Sequence, residues 1–375
     1  MAESVSIIGA GIGGLTTALT LKQRGFNVTI YEAAAEIRPV GAGIILANNA
    51  MQVFQKLGIH TKIEKAGNRI SAMRITDTQL NPISVVDLTA FEKKYGVHNI
   101  AIHRGQLQTI LAGEVGFDNI RLSKRLAKIE KTDHFKLIFE DGSTIESGLI
   151  IGADGIKSMV RNQVFGECTI RYARQTCWRG LCETDLPKKY HHAFNEAWGK
   201  GKRFGFGGIG GNKVYWFALT SSDYTIHPEA DLSVLFNEFH PEILKLISST
   251  DKDQIVVNDI MDLKPLNKWQ SKNVCLIGDA AHATTPNLGQ GACQAIEDAY
   301  VLGKLLDNGM AIESTFQAYE NIRRKKAHKI VNTSWMLGKV AHWNNPLLVW
   351  LRNTALRMTP GWVNKKQMNG IFELD

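Results

Sequence analysis

Apolar residues gather early in the chain. Ser4–Ile8 is a short β-rich run, followed by glycines and then by Leu15, Ala18 and Leu19 on one helical face. Gly25 ends that helix, and Lys22 and Arg24 fall in its last turn, where the negative end of the helix dipole favours cations. Phe26–Tyr31 reads as the next strand, so the pattern predicts a βαβ unit. Alternation in Ile70–Leu88 and in Arg203–Ala218, broken by Gly207-Gly208 and Gly210-Gly211, predicts antiparallel strands of a second lobe. Gly105–Leu111 reads as helix, Leu149–Gly152 and Asn273–Ile277 as buried strands, and the chain from Glu313 onward as mainly helical. The expected class is α/β. A nucleotide lobe built from residues 1–70, 101–170 and 270–330 is interrupted by an antiparallel β-sheet lobe of 71–100 and 171–269, and 331–375 forms a C-terminal helical segment.

Length supports two lobes, since single cores stop growing near ~250–300 residues and this chain has 375. No apolar run is long enough to span a bilayer, and the early strand leaves no room for a signal sequence, so cytoplasmic residence is expected. Cys168, Cys177, Cys182, Cys275 and Cys293 are odd in number and lack CxxC spacing. That pattern indicates buried thiols rather than disulfides or zinc, and no metal is expected. The net charge of +8 is concentrated partly in Arg323-Arg324-Lys325-Lys326 and Lys365-Lys366. The first cluster reads as a solvated helix face; without interleaved aromatics it does not indicate nucleic acid.

Three segments carry candidate chemistry. Gly9, Gly11 and Gly14 supply GxGxxG spacing, with Ile12 and Gly13 inside it, directly between a strand and a helix. The first glycine permits a tight turn, the second lets backbone approach a pyrophosphate, and the third lets helix and strand pack closely. Glu32 closes the next strand 18 residues after Gly14, where its carboxylate can accept from both adenosine ribose hydroxyls. A glycine-rich turn without ligand is the competing reading. The second segment is Gly152-Ala153-Asp154-Gly155 with Ser158 and Arg161, in which Asp154 can orient the arginine or cap the helix. The third joins Gly278-Asp279 to Pro286-Asn287-Leu288-Gly289-Gln290-Gly291 and a helix carrying Ala292, Ala295, Ile296 and Ala299. Asp279 suits ribityl or ribose hydroxyls, and Gly289 and Gly291 would expose main-chain N–H groups to a flavin edge.

In order and spacing these segments resemble the three fingerprints of class A flavoprotein monooxygenases, a family of FAD-dependent aromatic hydroxylases with the para-hydroxybenzoate hydroxylase fold. The resemblance covers essentially the whole chain and implies a Rossmann-like FAD-binding domain, an antiparallel substrate domain and C-terminal helices. It also adds Arg104 and Gln108, from the segment His103–Leu107 and its continuation, as FAD contacts. Asp279 would contact the ribityl–pyrophosphate region, while Asp154 and Arg161 belong to a segment linked to FAD and nicotinamide use. The implied reaction is reduction of non-covalently bound FAD by transient NADH or NADPH, oxygen addition at flavin C4a, and transfer of one oxygen atom from O2 to a small, electron-rich substrate. A monomer or homodimer is expected.

Within the branch resembling bacterial urate hydroxylases and zeaxanthin epoxidase, Arg203 and Tyr215 match positions that line the substrate pocket. Asn287 stands where that branch carries an aspartate, which removes a candidate partner for the arginine and counts against urate. Arg203 and Tyr215 are therefore the candidates for orienting a carbonyl- or phenolate-bearing substrate; surface strand positions are the alternative. Asp279 with His282 lacks the GxSxG elbow of a hydrolase, and His191-His192 reads as an exposed loop. Trp178 and Trp216 could line an aromatic pocket, a half-buried strand being the commoner reading, and the apolar Pro346–Leu351 run with Leu356 could cover the pocket or touch a membrane surface, ordinary core packing being the preferred reading. A flavin reductase without oxygen insertion and a non-catalytic flavin sensor remain as alternatives.

Overall fold

The computed structural model describes residues 4–37, 42–131, 134–221, 230–307 and 309–375. A six-stranded sheet runs in the order Gln270–Ser271, Val274–Leu276, Leu149–Gly152, Ser4–Ile8, Asn27–Tyr31, Ile120–Arg121. All its pairings are parallel except the first. Central parallel strands are covered on both faces, which is why the sequence supplies continuous runs such as Val5-Ser6-Ile7-Ile8. The helix Ile12–Lys22 is buried around most of its circumference, not along one face. It lies between the sheet, the helix Arg104–Val115 and the helix Gly291–Leu306. The helix ends at Lys22; Arg24 lies just beyond it and donates back to the Thr20 carbonyl, while Gly25 takes the left-handed conformation with φ +82°.

A seven-stranded sheet forms the second layer, ordered Val256–Leu263, Ile170–Glu183, Lys213–Ser221, Lys202–Gly208, Ala193–Trp198, Ala72–Thr76, Pro82–Asp87. Its pairings are antiparallel except that between Ala193–Trp198 and Ala72–Thr76. Alternation divides its two faces. Phe204, Phe206, Trp178, Trp216 and Ala218 point into a separate core with Phe236 and Phe239. Arg203, Gly205 and Gly207 therefore point the other way, together with Tyr215 and Phe217 of the neighbouring strand. Trp178 and Trp216 are buried under the helices Leu232–Leu235 and Pro241–Ser248, and the opposite face, with Cys177, Tyr215 and Leu219, is buried too, so these strands are covered on both sides rather than half-buried.

Three helices, Ile312–Ala341, Pro346–Met358 and Gly361–Phe372, complete the fold. The first corrects the solvated reading of the basic cluster. Arg323 is fully buried, Arg324 pairs with Glu320 and Lys326 with Glu297, and of the four basic residues only Lys325 is exposed. The apolar run from Pro346 also departs from expectation: Leu347, Leu348, Trp350 and Leu351 are exposed. All five cysteines are free, four of them buried and Cys168 half-buried. Among the described residues, no helix is long and apolar enough to cross a membrane.

Candidate active site

Backbone geometry sets the first wall of the site. Gly9 has φ +106°, and a Cβ there would lie 2.5 Å from the Ala153 carbonyl oxygen; a Cβ on Gly14 would lie 2.0 Å from that of Gly9. Only glycine fits either position. Gly11, by contrast, faces open space, so its backbone is free to approach a ligand. Gly13 packs on Ala295, whose small side chain admits the helix Gly291–Leu306. Glu32 follows its strand and accepts from the Ala10 N–H at 2.6 Å and the Ala34 N–H at 2.8 Å, fixing its carboxylate beside the glycine turn. Gln108 donates to the Ala10 carbonyl at 2.8 Å, so the helix after Arg104 braces the same turn.

The second turn resolves the choice left open for Asp154. Its carboxylate accepts from Ser158 Oγ and from the Met159 and Val160 N–H groups, capping the helix Met159–Phe165, while Gly155 at φ +79° bends the chain. Burial raises the Asp154 pKa, and these hydrogen bonds oppose it. Arg161 does not reach Asp154. Its buried guanidinium donates to the carbonyls of Ala280 at 2.9 Å and Ile156 at 2.6 Å, tying the second turn to the third.

In the third turn, Gly278 has φ +55° and Asp279 begins a short helix. The Asp279 side chain is exposed, yet burial by surrounding protein raises its pKa, with His282 and Arg104 opposing. A carboxylate that is both exposed and enclosed lines an interior cleft. It accepts no hydrogen bond from the described residues, which leaves both oxygens for a ligand. Pro286 opens a single turn, and Gly289 at φ +61° leads through Gln290 into the helix at Gly291. Gly291 approaches Asp279 and Ala292 is half-buried. Gln290 is buried, its side-chain oxygen accepting from Asn49 and Gln294, so it supports the turn from behind. An open Gly11, an acceptor at Glu32, a partnerless Asp279 and an exposed Arg104 fit a dinucleotide carrying hydroxyls and phosphates.

The fourth wall is the glycine-thinned face of the seven-stranded sheet. A Cβ on Gly205 would strike the Phe217 ring, and one on Gly207 the Phe194 ring. Their absence lets Phe194, Tyr215 and Phe217 cluster, with centroid separations of 6.0 to 6.4 Å. Arg203 and Tyr215, only 2% and 7% exposed, share this face on adjacent strands, so neither is a surface strand residue. Arg203 Nη1 meets Glu196 Oε1 at 2.9 Å, and Nη2 donates to Asn287 Oδ1 at 2.6 Å. The change to asparagine at 287 therefore does not cost the arginine its partner there. Asn287 Nδ2 donates to Thr285 Oγ1 and to the Ser334 carbonyl, both at 2.9 Å, which leaves Oδ1 as the end facing Arg203. Gly338 permits this, because a Cβ there would lie 2.4 Å from Asn287 Nδ2. Burial raises the Tyr215 pKa while Arg179 beside it pulls down, so the phenol stays protonated at neutral pH.

Arg179 and Glu196 had no motif to mark them in the sequence. Strand register was the one available signal: Arg179 lies opposite Phe217, and Glu196 opposite Gly205. His342 was also missed. It is buried near Arg203, and burial, with the arginine adding, pushes its pKa well below the ordinary value.

A dinucleotide cradle set against an aromatic, arginine-bearing sheet defines a flavoprotein hydroxylase. The chain matches the family model described as FAD binding domain over residues 2–334 and belongs to that family, among the class A FAD-dependent monooxygenases. Aurachin C monooxygenase/isomerase of Stigmatella aurantiaca is 36% identical over 360 residues, covering 95% of this chain and 94% of its own. The 2-heptyl-3-hydroxy-4(1H)-quinolone synthase of Pseudomonas aeruginosa is 31% identical over 383 aligned positions, covering 98% and 97%. The crystal structure of Klebsiella pneumoniae HpxO with FAD and uric acid superposes with a TM-score of 0.90 at 29% identity, covering 99% of this chain and 96% of that one.

Proposed function

We propose that this monooxygenase hydroxylates a bicyclic heteroaromatic carbonyl compound of the 4-quinolone type, with residues 1–70, 101–170 and 270–330 holding FAD and 71–100 with 171–269 holding the substrate. The Arg203–Asn287 contact at 2.6 Å carries the reading, because it joins the substrate-facing sheet to the turn that borders the cofactor. Phe194, Tyr215 and Phe217 offer ring faces to a flat substrate. Arg203, its guanidinium plane held by Glu196 and Asn287, sets a positive charge beside the ring wall to favour a carbonyl or its enolate. Tyr215 supplies a neutral donor rather than a base. The relatives whose names specify a quinolone or an aurachin support this class, and a predominantly aromatic wall would leave many of the polar edges of urate unpaired.

FAD, when bound, accepts a hydride from NADH or NADPH and activates O2. The chain's own part is placement. Gly11 and the helix beginning at Ile12 receive the pyrophosphate, Glu32 the adenosine ribose, and Asp279 with Arg104 the ribityl–phosphate region. The Gly289–Gly291 backbone would offer N–H groups to the edge of the bound ring. Burial of the aromatic wall keeps water from the reacting carbon.

Two results are expected. With 2-heptyl-4(1H)-quinolone, NAD(P)H oxidation should accelerate and one atom of labelled O2 should enter the product, with urate much slower; oxidation without incorporation would favour a reductase. Glu32→Gln should weaken FAD binding about tenfold, roughly 1.5 kcal/mol for a charge-assisted hydrogen bond. Fluorescence titration showing unchanged affinity would remove Glu32 from the ribose.

A further inference from the structure

The C-terminal helices carry an apolar face that no described residue covers. In the helix Pro346–Met358, at about 100° per residue, Leu347, Leu351 and Met358 fall within about 40° of one another, with Trp350 and Leu348 on either side. Leu347 is 63% exposed, Trp350 60% and Met358 76%, and Trp362, at the start of the next helix, 67%. Arg352, about 120° round the helix from the centre of that stripe, is the buried residue of this helix; it donates to the Ala341 carbonyl and stacks over Trp198. The helix is thus anchored by a mixed inner side, where Val349 and Leu356 are half-buried beside Arg352, and its exposed stripe is apolar as well.

The segment that carries this face is basic. Residues 346–372 contain Arg352, Arg357, Lys365 and Lys366 and no Asp or Glu, and Asp87 is a carboxylate of the neighbouring strand within electrostatic reach of Lys365. Arg357 borders the stripe, and Lys339, Lys365 and Lys366 are exposed on the adjoining helices. We propose that the helices Pro346–Met358 and Gly361–Phe372 dock on an anionic lipid bilayer, Trp350, Leu351, Met358 and Trp362 entering the interface and Arg357, Lys365 and Lys366 meeting the headgroups. The charge argues against a second copy of the chain as occupant. A two-fold contact through this face would bring each basic fringe against its own like. The docked helix leans on the substrate sheet, since Arg352 rests on Trp198, the register partner of Arg203. Lipid contact would therefore lie on the far side of the helix from the proposed substrate region.

Flotation of the full FAD-loaded protein tests this, using vesicles of phosphatidylcholine alone and with about one third phosphatidylglycerol. The protein should rise with the anionic vesicles, and added salt should reduce this. Trp350→Ser with Leu351→Ser, and separately Lys365→Glu with Lys366→Glu, should each lower the bound fraction about tenfold while bound FAD is retained. A wild-type protein that stays with neither vesicle, or a Trp350/Leu351 variant that floats as well as wild type, overturns the proposal. Equal flotation with neutral vesicles overturns its electrostatic half. Light scattering that finds a dimer dispersed by the same double variant assigns the face to a second copy instead.

Discussion

Arg323→Met is expected to lower the free energy of unfolding by about 3–5 kcal/mol, the usual cost of leaving buried carboxylates without their cation. Arg323 is fully buried and reaches Asp298 Oδ1 at 2.8 Å, Glu297 Oε1 at 2.7 Å and Asp375 Oδ2 at 2.5 Å. Asp298 also meets His282 Nε2 at 2.6 Å and accepts the Gly278 N–H at 2.9 Å. The network therefore holds the turn that presents Asp279, and the variant should lose FAD affinity along with stability. Lys325→Met, two residues on and exposed, should stay within about 0.5 kcal/mol. Urea unfolding at fixed FAD concentration separates them; matching midpoints for wild type and Arg323→Met would remove the network from the stability of the fold. The same network predicts acid sensitivity. Burial alone would raise the Asp298 pKa, but His282 and Arg323 outweigh it and hold the carboxyl well below its ordinary value. A depressed folded-state pKa contributes stability that is present above the unfolded value near ~3.9 and lost as pH falls below it. The wild-type midpoint should therefore drop below about pH 4, and Asp298→Asn should flatten that part of the profile.

The cofactor wall was legible because glycine identity is dictated by backbone. Gly9 and Gly14 admit no Cβ, and their spacing, with a strand before and a helix after, states that constraint in the sequence. The alternation Arg203-Phe204-Gly205-Phe206-Gly207 was legible as a strand. What each face meets was not, because it depends on strands and helices distant in sequence. Phe217 and Phe194 fill the space left by the two glycines, and Phe236 meets Phe204 on the other side. The basic cluster failed for the same reason. Four consecutive cations look solvated until Glu297 and Asp298, hidden in a helix of Ala, Ile and Leu, are brought against Arg323 and Lys326. The apolar run from Pro346 was misassigned because a solvent-facing stripe and a core-facing stripe have the same helical spacing, and here Arg352 occupies the inner side.

Arg203→Met should reduce kcat/KM for the substrate about 100-fold while leaving FAD bound, since the proposed loss is one fixed positive charge whose pull strengthens as negative charge develops on the substrate. Its guanidinium is held at two ends, by Glu196 and Asn287, so its plane and charge are fixed beside the ring wall. Arg203→Lys keeps the charge but cannot hold both partners at once, and should fall between the two. Without the arginine the substrate is poorly placed, so NAD(P)H consumption should continue with oxygen released as hydrogen peroxide instead of entering product. Asn287→Asp tests the frame. It offers Arg203 a stronger acceptor, yet places a carboxylate oxygen against the Ser334 carbonyl that now accepts from Nδ2. A protein built around asparagine should be destabilised by that change even as the arginine gains a charged partner. Peroxide yield measured beside product yield decides the first point: unchanged affinity and unchanged coupling in Arg203→Met would leave the arginine a structural strut between sheet and turn.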